Sequence, residues 1–232
     1  SVLTAIAKKL MTKNNFYIYR FILIPETIGS ISYLSKNLKH LQKYVKGGFV
    51  VTCVGDEKNW GLVPSRYGNN ISDKIAEHVL NYNVDKFIKY SWLDRGSDER
   101  QYCAPGIDLP ISSIVRTKYE EYPEYHTSLD NFSLVTKKGL NQSLEIYLKC
   151  VEIFEMGRDK KPKIQVLGEP QLGKRGLYPN SRTSVKSVVE MMNFISYCDG
   201  NNTILEISNL CNLNFFDSID IYNRLKANQL IN

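Results

Sequence analysis

Several side chains able to hold a metal or move a proton fall where strands of an α/β sheet are predicted to end. Glu26 follows the apolar stretch Phe16 to Ile24, and Cys53 and Asp56 close the stretch Phe49 to Val54. Asp98 and Arg100 come after the third such stretch, and Tyr125, His126 and Asp130 after the fourth. Loops at the carboxyl ends of strands are where α/β folds gather functional groups. Carboxylate oxygen, neutral imidazole and thiolate all suit zinc, and a carboxylate beside a bound water is a general base. Each residue also has a structural reading. Glu26 matches the positive end of a following helix, Asp56 forms a turn after Gly55, and Asp98 caps a helix. Cys53 reads as a buried thiol and His126 as a hydrogen-bonded loop residue. Ser30, His126 and Asp130 spell a nominal Ser-His-Asp set, but no Gly-x-Ser-x-Gly elbow presents the serine, so that chemistry is set aside.

The elements that must position these groups follow from periodicity. Val2, Leu3, Ile6, Ala7, Leu10 and Met11 recur at helical spacing, with Lys8, Lys9 and Lys13 outside them, which predicts a helix over residues 2 to 12. The β-branched and aromatic run Phe16 to Ile24, stopped by Pro25, predicts a buried central strand, and a helix from about Gly29 to Tyr44 follows. Phe49 to Val54 is a second strand. A helix carrying Ile71, Ile75, Ala76, Val79 and Leu80, with Ser72-Asp73 as its cap, leads to a third strand at Phe87 to Tyr90. Ile111 to Val115 is a fourth strand, and Leu140, Leu144, Tyr147, Leu148, Val151 and Phe154 mark a long covering helix. Alternation of helix and strand predicts a mostly parallel sheet flanked by helices.

Lys160 to Asn180 has no period and is rich in Pro and Gly, so residues 160–180 are expected to act as a linker or wrapping arm between residues 1–159 and residues 181–232. Beyond it, helices are predicted over Val185 to Tyr197, Thr203 to Leu210 and about Phe215 to Asn228, with Thr203 and Glu206 as a capping box. This small all-α end resembles a winged helix-turn-helix.

The composition sets limits. At 232 residues, 43% hydrophobic and 23% charged, the chain is expected to fold throughout. A net charge of +6, from 30 Lys and Arg against 24 Asp and Glu, is mild and spread along the chain. From Ser184 to Asn232 the balance is three cations (Lys186, Arg224, Lys226) against five carboxylates, which opposes phosphate binding and disfavours a DNA-binding regulator. Packing or homo-oligomerisation is the expected role of those helices. Five cysteines without a Cys-x-x-Cys spacing predict neither disulfides nor a zinc knuckle, and no apolar run approaches the roughly 18 residues of a membrane helix. A soluble protein of the cytoplasm is expected.

Glu26-Thr27-Ile28-Gly29-Ser30, Ser97-Asp98, Ala104 to Pro110 and His126-Thr127-Ser128-Leu129-Asp130 resemble motifs of the zinc aminopeptidase family, which also includes glutaminyl cyclases. The chain is closer still to a bacterial subgroup of aminopeptidase-like proteins linked to polysaccharide biosynthesis. It shares with them Gly96 to Tyr102, Tyr125 to Asn131, Gly168 to Tyr178 and the C-terminal helices, so the resemblance spans nearly the whole chain. It implies a zinc-peptidase-like fold in which His126 is a metal ligand, Glu26 a ligand or the general base, and Asp98 and Asp130 supports around them. It also implies a zinc-activated water attacking the amide of a peptide-like or other amide-containing small molecule.

This sequence departs from the family pattern in three places. Pro25-Glu26 stands where the family has an adjacent acidic pair. Cys53 aligns with a strand-end Asp ligand, with Asp56 three residues later as its substitute. The family's first His and Asp ligands lie before the helix that opens this chain, so an N-terminal part is expected to precede Ser1 and to complete the site. These departures also motivate a second reading, a binding or scaffold protein holding an organic ligand on Arg100, Tyr125 and His126.

Overall fold

The computed structural model describes residues 1–178 and 185–232, apart from the side chains of Val185 and Lys186. The expected end of the Pro- and Gly-rich arm at Asn180, Ser184 and the Lys186 side chain lie outside the described residues. The described chain divides into two compact units, Ser1–Val151 and Glu152–Asn232.

In the first unit, helix α1 (Val2–Met11) buries Val2, Ile6 and Leu10 of the expected stripe, while Met11 at its end is 86% exposed. Helix α2 (Ile28–Tyr44) buries Leu34 and Leu41 against Leu109, with Tyr33, Leu38 and Tyr102 packed around them. Strands β1 (Gly48–Val50) and β2 (Gly61–Val63) precede helix α3 (Ile71–Asn83) and strand β3 (Ile88–Lys89). The short helix α4 (Glu99–Tyr102), strand β4 (Ile111–Val115) and helix α5 (Lys137–Gly157) follow. The cap of α3 is Asn70 and not Ser72-Asp73. The Asn70 side chain accepts from Asp73 N–H and the Asp73 carboxylate accepts from Asn70 N–H, a reciprocal capping box. Ser72 is tied instead to the sheet, accepting from Gly48 N–H and donating to the Pro110 carbonyl.

The sheet runs in the order β1-β4-β2-β3. β4 lies parallel to β1 (Gly48 opposite Ile111) and antiparallel to β2 (Gly61 opposite Val115), and β2 is parallel to β3. The sheet is therefore mixed, two parallel pairs and one antiparallel. Leu62, Val63, Ile114 and Val115 are buried at its centre with Ile75, Ala76, Val79 and Leu80 of α3. From α5, buried Tyr147 donates its hydroxyl to the Ile114 carbonyl at 2.6 Å.

The segment Phe16 to Ile24 is a correction to the expected buried strand. It forms no strand among the described residues, and Phe16 is 60%, Ile18 99% and Leu23 78% exposed. Residues from 15 to 19 alternate between half-buried and exposed, as an extended β-prone run does. Propensity fixes the extended backbone but cannot supply a neighbour to hydrogen-bond, and the described sheet is assembled from β1 to β4.

In the second unit, helices α6 (Val185–Ser196), α7 (Ile204–Leu210) and α8 (Phe215–Ala227) enclose Met191, Phe194, Ile207, Phe215, Leu225 and Leu230. Thr203 and Glu206 form the expected capping box on α7. Lys163 and Ile164 bridge in antiparallel fashion to Asp199 and Ile231.

Candidate functional site

The loop after Phe16 to Ile24 and the segment Gly96 to Tyr102 meet although they are some 71 residues apart. Ser97 Oγ donates to Glu26 Oε1 at 2.6 Å. Thr27 N–H donates to Asp98 Oδ1 at 2.8 Å, and Arg100 Nη2 donates to Thr27 Oγ1 at 2.7 Å. Thr27 sits at φ 61°, ψ −70°, with Ile28 N–H bonded back to the Glu26 carbonyl at 2.7 Å. That is the rare, strained form of γ-turn, and here its centre is a β-branched residue. Asp98 begins α4 without capping it, because its carboxylate is used on the strained turn instead.

Beneath this contact lies Glu99, fully buried. Its Oε1 accepts from Gly96 N–H (2.9 Å), Ser97 N–H (3.0 Å) and the Tyr119 hydroxyl (2.8 Å), so it fixes the turn from which Ser97 reaches Glu26. Its Oε2 is buried without a hydrogen-bond partner. Burial and then the Glu99 charge push the Tyr119 phenol well above its usual range, which keeps that hydroxyl a donor. Gly96 is required here, since a Cβ would collide with the Tyr119 ring.

A second cluster gathers Cys53, Tyr122, Tyr125 and His126. Cys53 Sγ lies 3.8 Å from the Tyr122 hydroxyl, Tyr122 meets Tyr125 edge-on, and His126 stacks on Tyr125 at 3.9 Å and 17°. Burial pushes the Cys53 thiol up and also raises Tyr122 and Tyr125. After burial and Cys53, the next influence on Tyr125 is the charge of Glu26, and Asp130 acts likewise on Tyr122. Cys53 (φ 48°) and His126 (φ 57°) have positive φ, as Thr27 does. Strain of this kind collects at functional sites, where surrounding contacts hold it in place.

Asp56 stands apart. It is buried and accepts from Thr117 N–H (2.9 Å), Thr117 Oγ1 (2.8 Å) and Lys58 N–H (2.8 Å), so both of its oxygens are occupied in joining two loops. Among the described residues no three His, Cys, Asp or Glu side chains converge as a metal site would require. His126, Glu26, Asp56 and Cys53 thus do not fit a zinc ion by themselves. Ser97, Thr27, Glu99 and Tyr122 belong to the site although the sequence assigns none of them a role. Thr27 lies inside the motif Glu26 to Ser30, and Ser97 and Glu99 inside Gly96 to Tyr102, but only contacts across the fold reveal what they hold.

Residues 1–157 match the model of a family described as a domain of unknown function (DUF4910), and residues 161–232 match a winged helix-turn-helix family. The chain belongs to the DUF4910 family. A relative from Clostridium acetobutylicum, a candidate polysaccharide biosynthesis protein with an aminopeptidase-like domain, is 38% identical over 214 residues. The alignment covers 90% of this chain and 48% of that protein. A crystal structure of a candidate peptidase from Clostridium acetobutylicum is 34% identical, with a TM-score of 0.89 over 100% of this chain and 52% of that one. An aminopeptidase from an Aneurinibacillus strain is 16% identical at a TM-score of 0.45, covering 55% of this chain and 30% of its own. The chain of this DUF4910 member thus spans about half the length of the relatives it matches, and its fold is peptidase-like with a C-terminal winged helix domain.

Proposed function

We propose that this chain carries one side of the reaction groove of an aminopeptidase-like hydrolase acting on an amide in a peptide-like small molecule. The observation that supports this most is the strained turn at Thr27, held by Asp98 and Arg100 so that Glu26 is presented on Ser97. Strain maintained by three separate contacts from a distant segment is what a preorganised catalytic group requires and a plain connecting loop does not. In this reading Glu26 is the proton acceptor, Ser97 fixes its orientation, and the Tyr125–His126 stack with Arg100 receives the substrate. Asp130 and Tyr122 support that stack.

Zinc belongs to this reading only if residues outside the described ones add ligands. His126 and Glu26 are two, and a catalytic zinc takes three from protein.

Metal content and hydrolysis of aminoacyl anilides, measured on the full-length protein and its His126→Ala and Glu26→Gln variants, test the proposal. Activity lost in both variants is expected, and any zinc that residues outside the described ones help to hold is expected to be lost in His126→Ala. Hydrolysis unchanged in both would overturn it. The binding reading draws support from Asp56 and Asp98 being engaged in hydrogen bonds; an inactive protein that retains a peptide through Arg100 and Tyr125 would establish it instead.

A further inference from the structure

Arg116, at the end of β4, is 3% exposed, and among the described residues no carboxylate lies at ion-pair distance from it. Its guanidinium sits 4.0 Å over the face of Trp60, and Nη1 donates to Gln142 Oε1 at 2.9 Å. Nε is enclosed with no hydrogen-bond partner, whereas Nη2 is not enclosed and makes no bond to the protein. Nη2 is the donor this guanidinium has free for a carboxylate or phosphate. The nearest acids are engaged elsewhere, Glu57 with Lys138 and Thr136 and Asp56 with Thr117. They favour the charge on Arg116 only from a distance, and burial depresses its pKa. A buried cation without a counter-ion is costly in a folded protein.

Arg116 lines a cavity of about 580 Å³ between the loop preceding β2, the end of α3 and the outer side of α5. Trp60, Phe87 and Ile146 give it apolar walls, and its charged rim carries Lys58, Lys86, Lys138 and Lys149 against Glu57, Asp85 and Glu145, a cationic excess. None of Glu26, Ser97, Asp98, Tyr125 or His126 contributes to it. We propose that this cavity is a binding site, separate from the hydrolase groove, for a small oxyanion-bearing ligand, a carboxylate or a phosphate, taken on the free Nη2 of Arg116. The apolar walls leave room for the body of a molecule larger than the bare ion.

Calorimetric titration of the full-length protein with inorganic phosphate and with acetate, against sodium chloride at equal ionic strength, tests the site. A saturable heat with at least one anion and none with chloride is expected. Response to phosphate alone identifies a phosphate ligand, and response to acetate a carboxylate one. Arg116→Lys, which keeps the charge and loses the planar Nη2 donor, is expected to weaken binding by at least about tenfold. Lys86→Glu, at an exposed rim position that leaves the core untouched, is expected to weaken it about threefold with increased salt sensitivity. No saturable heat with either anion, or equal binding by wild type, Arg116→Lys and Lys86→Glu, overturns the proposal. Because the cavity shares no residue with the groove, loss of hydrolysis in Glu26→Gln leaves this binding intact, and failure of either proposal is read separately.

Discussion

Glu99 is the residue on which the candidate groove rests. One of its oxygens satisfies two backbone N–H groups and a tyrosine hydroxyl in a place water does not reach. Truncation strands the two backbone donors and leaves the Tyr119 hydroxyl only the Asp94 carbonyl at 3.3 Å, so Glu99→Ala is expected to lower unfolding free energy by about 2–4 kcal/mol. Urea unfolding should show a lower midpoint at unchanged slope; a shift under about 0.5 kcal/mol would mean that the turn is held by something else. Residue types were legible at this scale and their partners were not. Asp98 before a helix reads as its cap, yet its carboxylate crosses to Thr27 N–H. Asp56 reads as a ligand or a turn former, and it joins two loops. A side chain with several local uses is assigned by long-range geometry, which one sequence does not contain.

At the scale of elements, the start of α5 decides where the Cys53–Asp56 turn lies. Thr136 Oγ1 accepts from Gly139 N–H in the first turn of the helix, and Thr136 N–H donates to the Gly55 carbonyl. A Cβ on Gly139 would overlap the Gly55 carbonyl oxygen and stand 2.6 Å from that of Asp56. Both obstacles are backbone, so Gly139→Ala is expected to destabilise by about 2–4 kcal/mol in thermal unfolding, although alanine favours helices. A neutral or stabilising result would show that the helix start can shift. Helices α2, α3, α5 and α7 were legible because each carries an apolar stripe several turns long or a capping box. β2 was not, since Gly61-Leu62-Val63 is too short to show a period. Phe16 to Ile24 misled for the opposite reason, its β-character being strong while its partner is absent from the described sheet.

At the scale of the molecule, the two units differ in what their surfaces offer. No helix among the described residues is long and apolar enough to cross a membrane. In the winged helix unit, α8 occupies the recognition position, and its exposed side shows Asp217 and Asp220 in its first half before Arg224 and Lys226. Carboxylates facing a groove repel phosphates, so the unit is expected to serve packing or self-association. Mobility-shift titration with duplex DNA at about 0.15 M salt should show no saturable complex. A complex that weakens steeply with added salt would refute this and restore the regulator reading.

The γ-turn at Thr27 also bears on how this protein would respond to engineering. Glycine accepts that backbone without steric penalty, so Thr27→Gly is expected to raise thermal stability by up to about 1 kcal/mol, less what is lost with the Arg100 contact. A screen that rewards heat resistance would therefore select against the side chain that joins the turn after Glu26 to Arg100. Thermostable variants altered at Thr27 should be the ones that lose turnover, and assaying the two properties together would expose that exchange.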